Sequence, residues 1–321
     1  MKTVFIAWAL ASRRSENICK ELGAKLFLLN LKKRKKILLK HIYLSFKTIQ
    51  ILLKEKPNVI FVQHPPLTCS LTCLFYSKLF GSKIITDFHT GSWDTWWERF
   101  WYWNKFIMRN SNLVIVTNQN ARKKFIPRYA KSFVLEDRMP ILPNVKKIRL
   151  ERGFNIAVVN SFSIDEPLEQ ILDAARDLPE VNFYITGKLS RAKKQFIENK
   201  PANVFYTDFL PDKKYVSLIK SVDGVMVLTT RNYTMLSGAH EALALCKPMI
   251  ISDWPILKEF FNKGAVHVKN NRESIREGVM QMIKNKSKLE KEIRILKRER
   301  EDEWYERFHE LSNIIKQFCS Q

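Results

Sequence analysis

Short runs that are apolar along nearly their whole length recur through the chain, each followed by a segment of helix length. TVFIAWA (3–9), KLFLLN (25–30), PNVIFVQ (57–63), SKIITDFH (82–89) and SNLVIVTN (111–118) lie in the first half. FNIAVVNS (154–161), VNFYITG (181–187), NVFYT (203–207), DGVMVLTT (223–230) and KPMIIS (247–252) repeat the rhythm in the second. A strand with one solvated face alternates apolar and polar residues, whereas a strand apolar throughout is covered on both faces. Strands of that kind alternating with helices predict parallel sheets with helices on either side, the doubly wound α/β class.

The rhythm breaks once. VLEDRMPILPNVKKIRLERG (134–153) is polar, holds two prolines and is expected to link two domains. A chain of 321 residues is long enough for two cores. The expected organisation is a Rossmann-like domain over 1–145, a second over 146–300 and a closing helix over 301–321, part of a charged amphipathic stretch that carries Trp304, Tyr305 and Phe308. Two such sheets are expected to face one central cleft, with ligands beyond the C-terminal ends of the strands.

Charge separates the halves. Residues 1–150 hold 28 Lys/Arg against 8 Asp/Glu, and residues 151–321 hold 27 against 24. A fold does not need that asymmetry, so the first half is expected to meet an anionic partner: lipid headgroups, a phosphorylated substrate or nucleic acid. A merely solubilising surface is the plain alternative. LKKRKKILLKH (31–41) suits a helix on a membrane surface, or a solvated helix face. GSWDTWWERFWYW (91–103) holds five tryptophans and reads as part lid and part interface, at a lipid boundary. The basic residues accompany no nucleic-acid-reading motif, so no nucleic-acid partner is expected.

No apolar run reaches the roughly 18 residues of a spanning helix. Arg13 and Arg14 interrupt the first run early, which then reads as a buried strand and not as a signal peptide. The five cysteines, Cys19, Cys69, Cys73, Cys246 and Cys319, form no CxxC pair or Cys/His cluster. They suggest no zinc and suit a reducing compartment. The expected location is the cytoplasm, with peripheral attachment to the inner face of the membrane.

The turns after the strands are rich in polar residues: Ser12, Arg13 and Arg14; His64; Asp87 and His89; Asn160 and Ser161; Lys188; Thr230 and Arg231. In the segment 228–260, Ser237-Gly238 leads into a helix containing Glu241. Amides at that helix start hold a phosphate, Arg231 neutralises it, and Glu241 accepts from ribose hydroxyls. Equally, Ser237 caps the helix and Glu241 is a dipole-favoured charge near its start. His89 beside Asp87 polarises a hydroxyl or binds a sugar, or is a satisfied structural residue. His64 is read the same way, with Pro65 and Pro66 fixing its turn. Asp165-Glu166 before Pro167 is a helix start. Neither GxGxxG nor GxxxxGK[ST] is present, which argues against dinucleotide and P-loop sites.

GAHEALALCKPMIISDWPILKEFF (238–261) resembles the nucleotide-sugar segment of GT-B glycosyltransferases, the family that includes mannosyl- and glucosyltransferases of bacterial and archaeal glycan assembly. DFHTG (87–91) resembles the strand end that carries a cleft histidine, and VVNSFSIDEPLEQILDAA (158–175) the opening of the second domain. The resemblance implies a hexosyltransferase in which Glu241 binds the donor ribose, Ser237 and Gly238 lie near the diphosphate, and His89 serves catalysis with Asp87. Thr230, Arg231, Asn160, Ser161 and Lys188 complete the donor side. Ser12, Arg13, Arg14 and His64, with the lysines of 32–40, face a glycan or lipid-phosphate acceptor. It further implies a last helix packed on the first domain, metal independence and no cofactor beyond the nucleotide-sugar substrate. Three positions depart: Tyr233 stands where the family has an acid eight residues before Glu241, Asn160-Ser161 stand where it has a basic pair, and Ser12-Arg13-Arg14-Ser15 replace a glycine-rich loop. The alternatives are an epimerase or phosphorylase using the same cleft, and a non-catalytic basic protein that binds membrane or nucleic acid.

Overall fold

The computed structural model describes residues 1–30, 37–89, 92, 99–232 and 234–320, the last two by backbone only. The first six residues of the basic stretch (31–36), Thr90, Gly91, Trp93, Trp96, Trp97 and Tyr233 lie outside the described residues. The chain divides into two compact units, Met1–Arg138 with Glu303–Gln321, and Met139–Asp302.

The first division falls earlier than 145/146 for a visible reason. Leu135 is buried in the first unit's core, and Trp304 Nε1 donates to the Glu136 carbonyl at 3.0 Å. Met139 already packs in the second unit's core.

The first unit carries β1 (Thr3–Ala7), β2 (Lys25–Leu28), β3 (Val59–His64), β4 (Lys83–Phe88), β5 (Leu113–Val116) and β6 (Ser132–Val134), all parallel, in the order β2-β1-β3-β4-β5-β6. Its helices are α1 (Arg13–Leu22), α2 (Ile37–Glu55), α3 (Leu67–Phe80), α4 (Trp101–Asn110) and α5 (Gln119–Phe125). Neighbouring strand residues point to opposite faces. Phe5, Phe61, Ile85 and Ile115 therefore pack with Ile18 and Cys19 of α1, while Val4, Ile6, Ile60 and Val62 pack with Leu52 of α2 and Cys69, Cys73 and Tyr76 of α3. Both faces are covered, which is why these strands are apolar throughout. Each fully buried Phe or Ile contributes about 1.5–3 kcal/mol relative to exposure.

The second unit repeats the plan with β7 (Phe154–Val158), β8 (Val181–Thr186), β9 (Val204–Asp208), β10 (Gly224–Val227), β11 (Met249–Ser252) and β12 (Ala265–Val268), in the order β12-β11-β10-β7-β8-β9 and again all parallel. Its helices are α6 (Leu168–Arg176), α7 (Lys194–Glu198), α8 (Asp212–Ser221), α9 (Ser237–Ala244), α10 (Pro255–Phe260) and α11 (Arg272–Lys284). A last helix, α12 (Lys286–Ser320), starts among the residues of the second unit, where Leu289, Ile293 and Leu296 are buried. It ends among those of the first, where Trp304, Phe308, Leu311 and Ile315 are buried. Among the described residues no helix is long and apolar enough to cross a membrane.

The strand order reverses direction between β1 and β3 in the first unit and between β7 and β10 in the second. Loops leaving the C-terminal ends of those strands flank the crevice where open α/β sheets bind ligands.

Candidate functional site

In the first unit, β1 leads into α1, whose start is capped by the Ser12 hydroxyl accepting from the Ser15 amide. That geometry turns Arg14 inward. Its Nε and Nη2 donate to both oxygens of Asp87 at 2.9–3.1 Å, and its Nη1 donates to Asp137 at 2.8 Å. The Arg14 side chain is 7% exposed and Asp87 is fully buried. Burial alone would raise the Asp87 carboxyl, but the adjacent Arg14 and His89 outweigh it and hold it well below the usual carboxylate range. Burial likewise disfavours charged Arg14, and Asp87 and Asp137 more than compensate.

Asp87 is thus a fixed carboxylate with its second oxygen 3.0 Å from His89 Nε2. An ionised carboxylate only accepts, so in the neutral imidazole Nε2 carries the proton and Nδ1 the lone pair. The His89 side chain is 24% exposed, so it is the reachable end of an Arg14–Asp87–His89 chain.

Three assignments change accordingly. Arg14 does not meet an acceptor phosphate, because its guanidinium is occupied by two carboxylates within its own unit. Asp87 touches no substrate: it positions His89. His64 is fully buried, with Nδ1 3.0 Å from Ser70 Oγ, Nε2 3.0 Å from Asn104 Oδ1 and its ring 4.3 Å from that of Phe88, so it is structural. Burial pushes its pKa down to about 4, against a partial restoring effect of Asn104. Ser12 is a helix cap, and Arg13 is exposed beside it.

In the second unit the strand ends are tied to one another. The Thr229 amide donates to Ser252 Oγ, which donates to Asn270 Oδ1, and Trp254 Nε1 and Asn270 Nδ2 both donate to the Thr229 carbonyl. Thr229 Oγ1 donates to Asp165 at 3.0 Å, and Arg231 Nε lies 3.6 Å from the same carboxylate, which joins the loops after β7 and β10 across the switch point. α6 starts just past Asp165-Glu166, at Leu168 with Pro167 in the cap position, and Asp165 is in addition the post that holds these two loops, a role its sequence neighbours do not signal.

The loop after β7 is closed on itself. Glu166 accepts from the Ser161 amide at 2.8 Å, the Ser161 hydroxyl at 3.0 Å and the Ser163 amide at 2.9 Å. Asn160 is buried, with Oδ1 accepting from the Phe162 amide at 2.7 Å. The donors of Ser161 and the side-chain oxygen of Asn160 are therefore engaged internally, and neither residue presents them to a donor. Gly187 (φ 112°) comes so close to the Asn160 carbonyl that a Cβ would lie 2.4 Å from that oxygen. Lys188, next to it, is exposed. The Thr230 hydroxyl donates to the Asp165 carbonyl at 3.2 Å.

The loop after β10 enters α9. Leu236 occupies the cap position without a side-chain acceptor, so Ser237 is the first helical residue and not the cap. Gly238 is buried against β7's end, and a Cβ there would lie 2.7 Å from Val159 Cγ1. Its absent side chain is what lets the helix start approach the strand end. One turn on, Glu241 is half-buried and accepts from the Tyr215 hydroxyl of α8 at 2.6 Å. The sequence offers no sign of Tyr215, which lies 26 residues upstream. Among the described residues no group of three or more His, Cys, Asp or Glu is placed to hold a metal ion.

Residues 143–300 match the family model of glycosyl transferases group 1. No curated protein matches the chain by sequence. Solved structures match it over nearly its whole length. Sucrose-phosphate synthase from Thermosynechococcus elongatus superposes with a TM-score of 0.74 at 12% identity, covering 100% of both chains. HepE from Anabaena, in complex with UDP and glucose, gives 0.75 at 12% identity, covering 99% of this chain and 100% of that one. The UDP-GlcNAc 2-epimerase from Methanocaldococcus jannaschii gives 0.62 at 14% identity, covering 92% of this chain and 99% of that one. The two parallel six-stranded sheets are therefore those of the GT-B fold, and within it residues 143–300 are the part that matches the glycosyl transferases group 1 family.

Proposed function

We propose that this protein transfers a hexosyl group from a nucleoside diphosphate sugar to a lipid-linked or membrane-proximal glycan acceptor. The observation that carries the donor side is Glu241, a half-buried carboxylate one turn into α9 and aligned by Tyr215, within the segment matched by the group 1 family model. In this assignment Glu241 accepts from the ribose hydroxyls, and the amides that open α9 face the diphosphate, favoured by the helix dipole. Arg231 and Lys188 add positive charge as the leaving diphosphate departs, with no metal required. Gly238 is the position where a side chain would push the helix start from the strand.

His89 takes the sugar side. Its Nδ1 lone pair accepts from a sugar hydroxyl while Asp87, itself held by Arg14, keeps the ring's orientation and tautomer. The acceptor is assigned to the first unit, which holds 27 Lys/Arg against 11 Asp/Glu and suits a phosphate-bearing glycan at a membrane surface.

Calorimetric titration with UDP, GDP and their sugar conjugates tests the donor assignment. One nucleotide is expected to bind, and Glu241→Ala to weaken it at least about tenfold, or about 1.4 kcal/mol. A folded protein that binds no nucleotide would sink the assignment. A free sugar epimerised or released without acceptor would favour the epimerase or phosphorylase reading.

A further inference from the structure

α2, α3 and α4 cover the same face of the first unit's sheet. His41 of α2 is hydrogen-bonded to Thr68 of α3, Ser45 lies 2.9 Å from Thr72, and the Tyr76 hydroxyl donates to the Leu52 carbonyl. These contacts set the two helices side by side. α4 joins them through Ile107 and Met108, which pack in one cluster with Leu67 of α3.

The inward faces account for their own burial. The outward faces are apolar as well, which a solvated surface helix is not. On α2, Ile42, Phe46 and Leu53 follow helical spacing and are 44–59% exposed. On α3, Phe75 and Leu79 lie one turn apart and are 62% and 61% exposed. On α4, Tyr102, Trp103 and Phe106 are 47–84% exposed. Single exposed apolar residues are ordinary, but a face shared by three adjacent helices marks an interaction site.

Charge selects the occupant. The three helices carry six Lys/Arg (Lys40, Lys47, Lys54, Lys78, Lys105 and Arg109) and one carboxylate, Glu55. Glu55 is buried and paired with Lys2 and Lys25. The face is therefore apolar and aromatic with cations only. A second copy of this chain would set those cations against their like. An anionic bilayer satisfies both halves of the pattern: headgroup phosphates meet the lysines, whose stems lie along apolar surface, while Tyr and Trp rings favour the interfacial region.

We propose that the outer face of α2, α3 and α4 is a membrane-docking surface that seats the first unit on an anionic lipid bilayer. It rests on the membrane-proximal acceptor reading and adds to it the surface and the lipid charge.

Co-sedimentation of the full chain with vesicles tests it, using phosphatidylcholine alone and an equal mixture with phosphatidylglycerol. Partition is expected to be at least about tenfold stronger on the mixed vesicles. Phe75→Ser/Leu79→Ser/Phe106→Ser is expected to reduce it about tenfold. A second variant, Lys78→Gln/Lys105→Gln/Arg109→Gln, keeps the apolar face and is expected to lose most of the preference for anionic lipid. Wild-type protein that ignores the mixed vesicles, or an apolar variant that partitions like wild type, overturns the proposal. So does light scattering that shows a dimer abolished by the apolar variant without any vesicle binding. UDP and GDP titrations on the same samples separate the two readings: nucleotide binding without vesicle binding removes the docking face alone, and vesicle binding without nucleotide binding removes the donor site alone.

Discussion

The two units share one plan and differ in how their polar residues are used. The first holds 27 Lys/Arg against 11 Asp/Glu, the second 28 against 21. At the strand ends of the first unit, charge is consumed internally: Arg14 engages Asp87 and Asp137, Asp87 engages His89, and His64 is buried neutral among Ser70, Asn104 and Phe88. Much of its cationic surplus lies instead on outer helices. At the strand ends of the second unit, carboxylates and backbone amides predominate: Asp165 and Glu166 brace the loops, and α9 opens beside them. Net charge and site chemistry are therefore separable in the same fold, and a basic domain need not have a basic pocket.

That contrast breaks most visibly at Arg14. Arg14→Met leaves Asp87 buried without its cation and is expected to cost about 3–5 kcal/mol in urea unfolding, with Asp87→Asn in the same chain recovering part of it. Unchanged stability would mean that the strand end is not internally satisfied. The next effect is one of pH. His64 titrates near 4 in the folded unit and near its ordinary 6.5 when unfolded. Between those values the unfolded chain holds more protons, so stability is complete above 6.5 and falls by about 3 kcal/mol as pH drops toward 4. Urea midpoints across that range check the slope, and His64→Gln is expected to flatten it.

The second unit answers to smaller changes. Gly238→Ala sets a Cβ against Val159 and is expected to cost about 1–2 kcal/mol in stability, with weaker nucleotide binding, by unfolding and calorimetry together. Tyr215→Phe removes one hydrogen bond to Glu241 and is expected to lower nucleotide affinity about fivefold, or about 1 kcal/mol.

The central strands were legible because burial on both faces leaves its mark on every residue. The edge strands β6 and β12 were not. Ser132–Val134 is only three residues long, and in AVHV (265–268) a histidine interrupts an already short apolar run, so little distinguishes either from a loop. In the site, the Asp87–His89 pair showed itself because residues two apart at a strand end lie on one side. Arg14 lies 73 residues from Asp87, and only the folded sheet brings them together. His64 illustrates the same limit, since a polar residue at a strand end points inward or outward without changing the sequence pattern. Ser161 read as a donor contact, and its amide and hydroxyl instead serve Glu166.

The long closing helix sets an order of assembly. Trp304, Phe308, Leu311 and Ile315 complete the first unit's core against Phe5, Ile18 and Phe61, yet they are synthesised after all of the second unit. While the ribosome builds residues 139–302, the first sheet has an uncovered apolar flank. The nascent chain must keep that flank from wrong partners, whether by chaperone cover or by slow closure, until the last helix arrives to seal it.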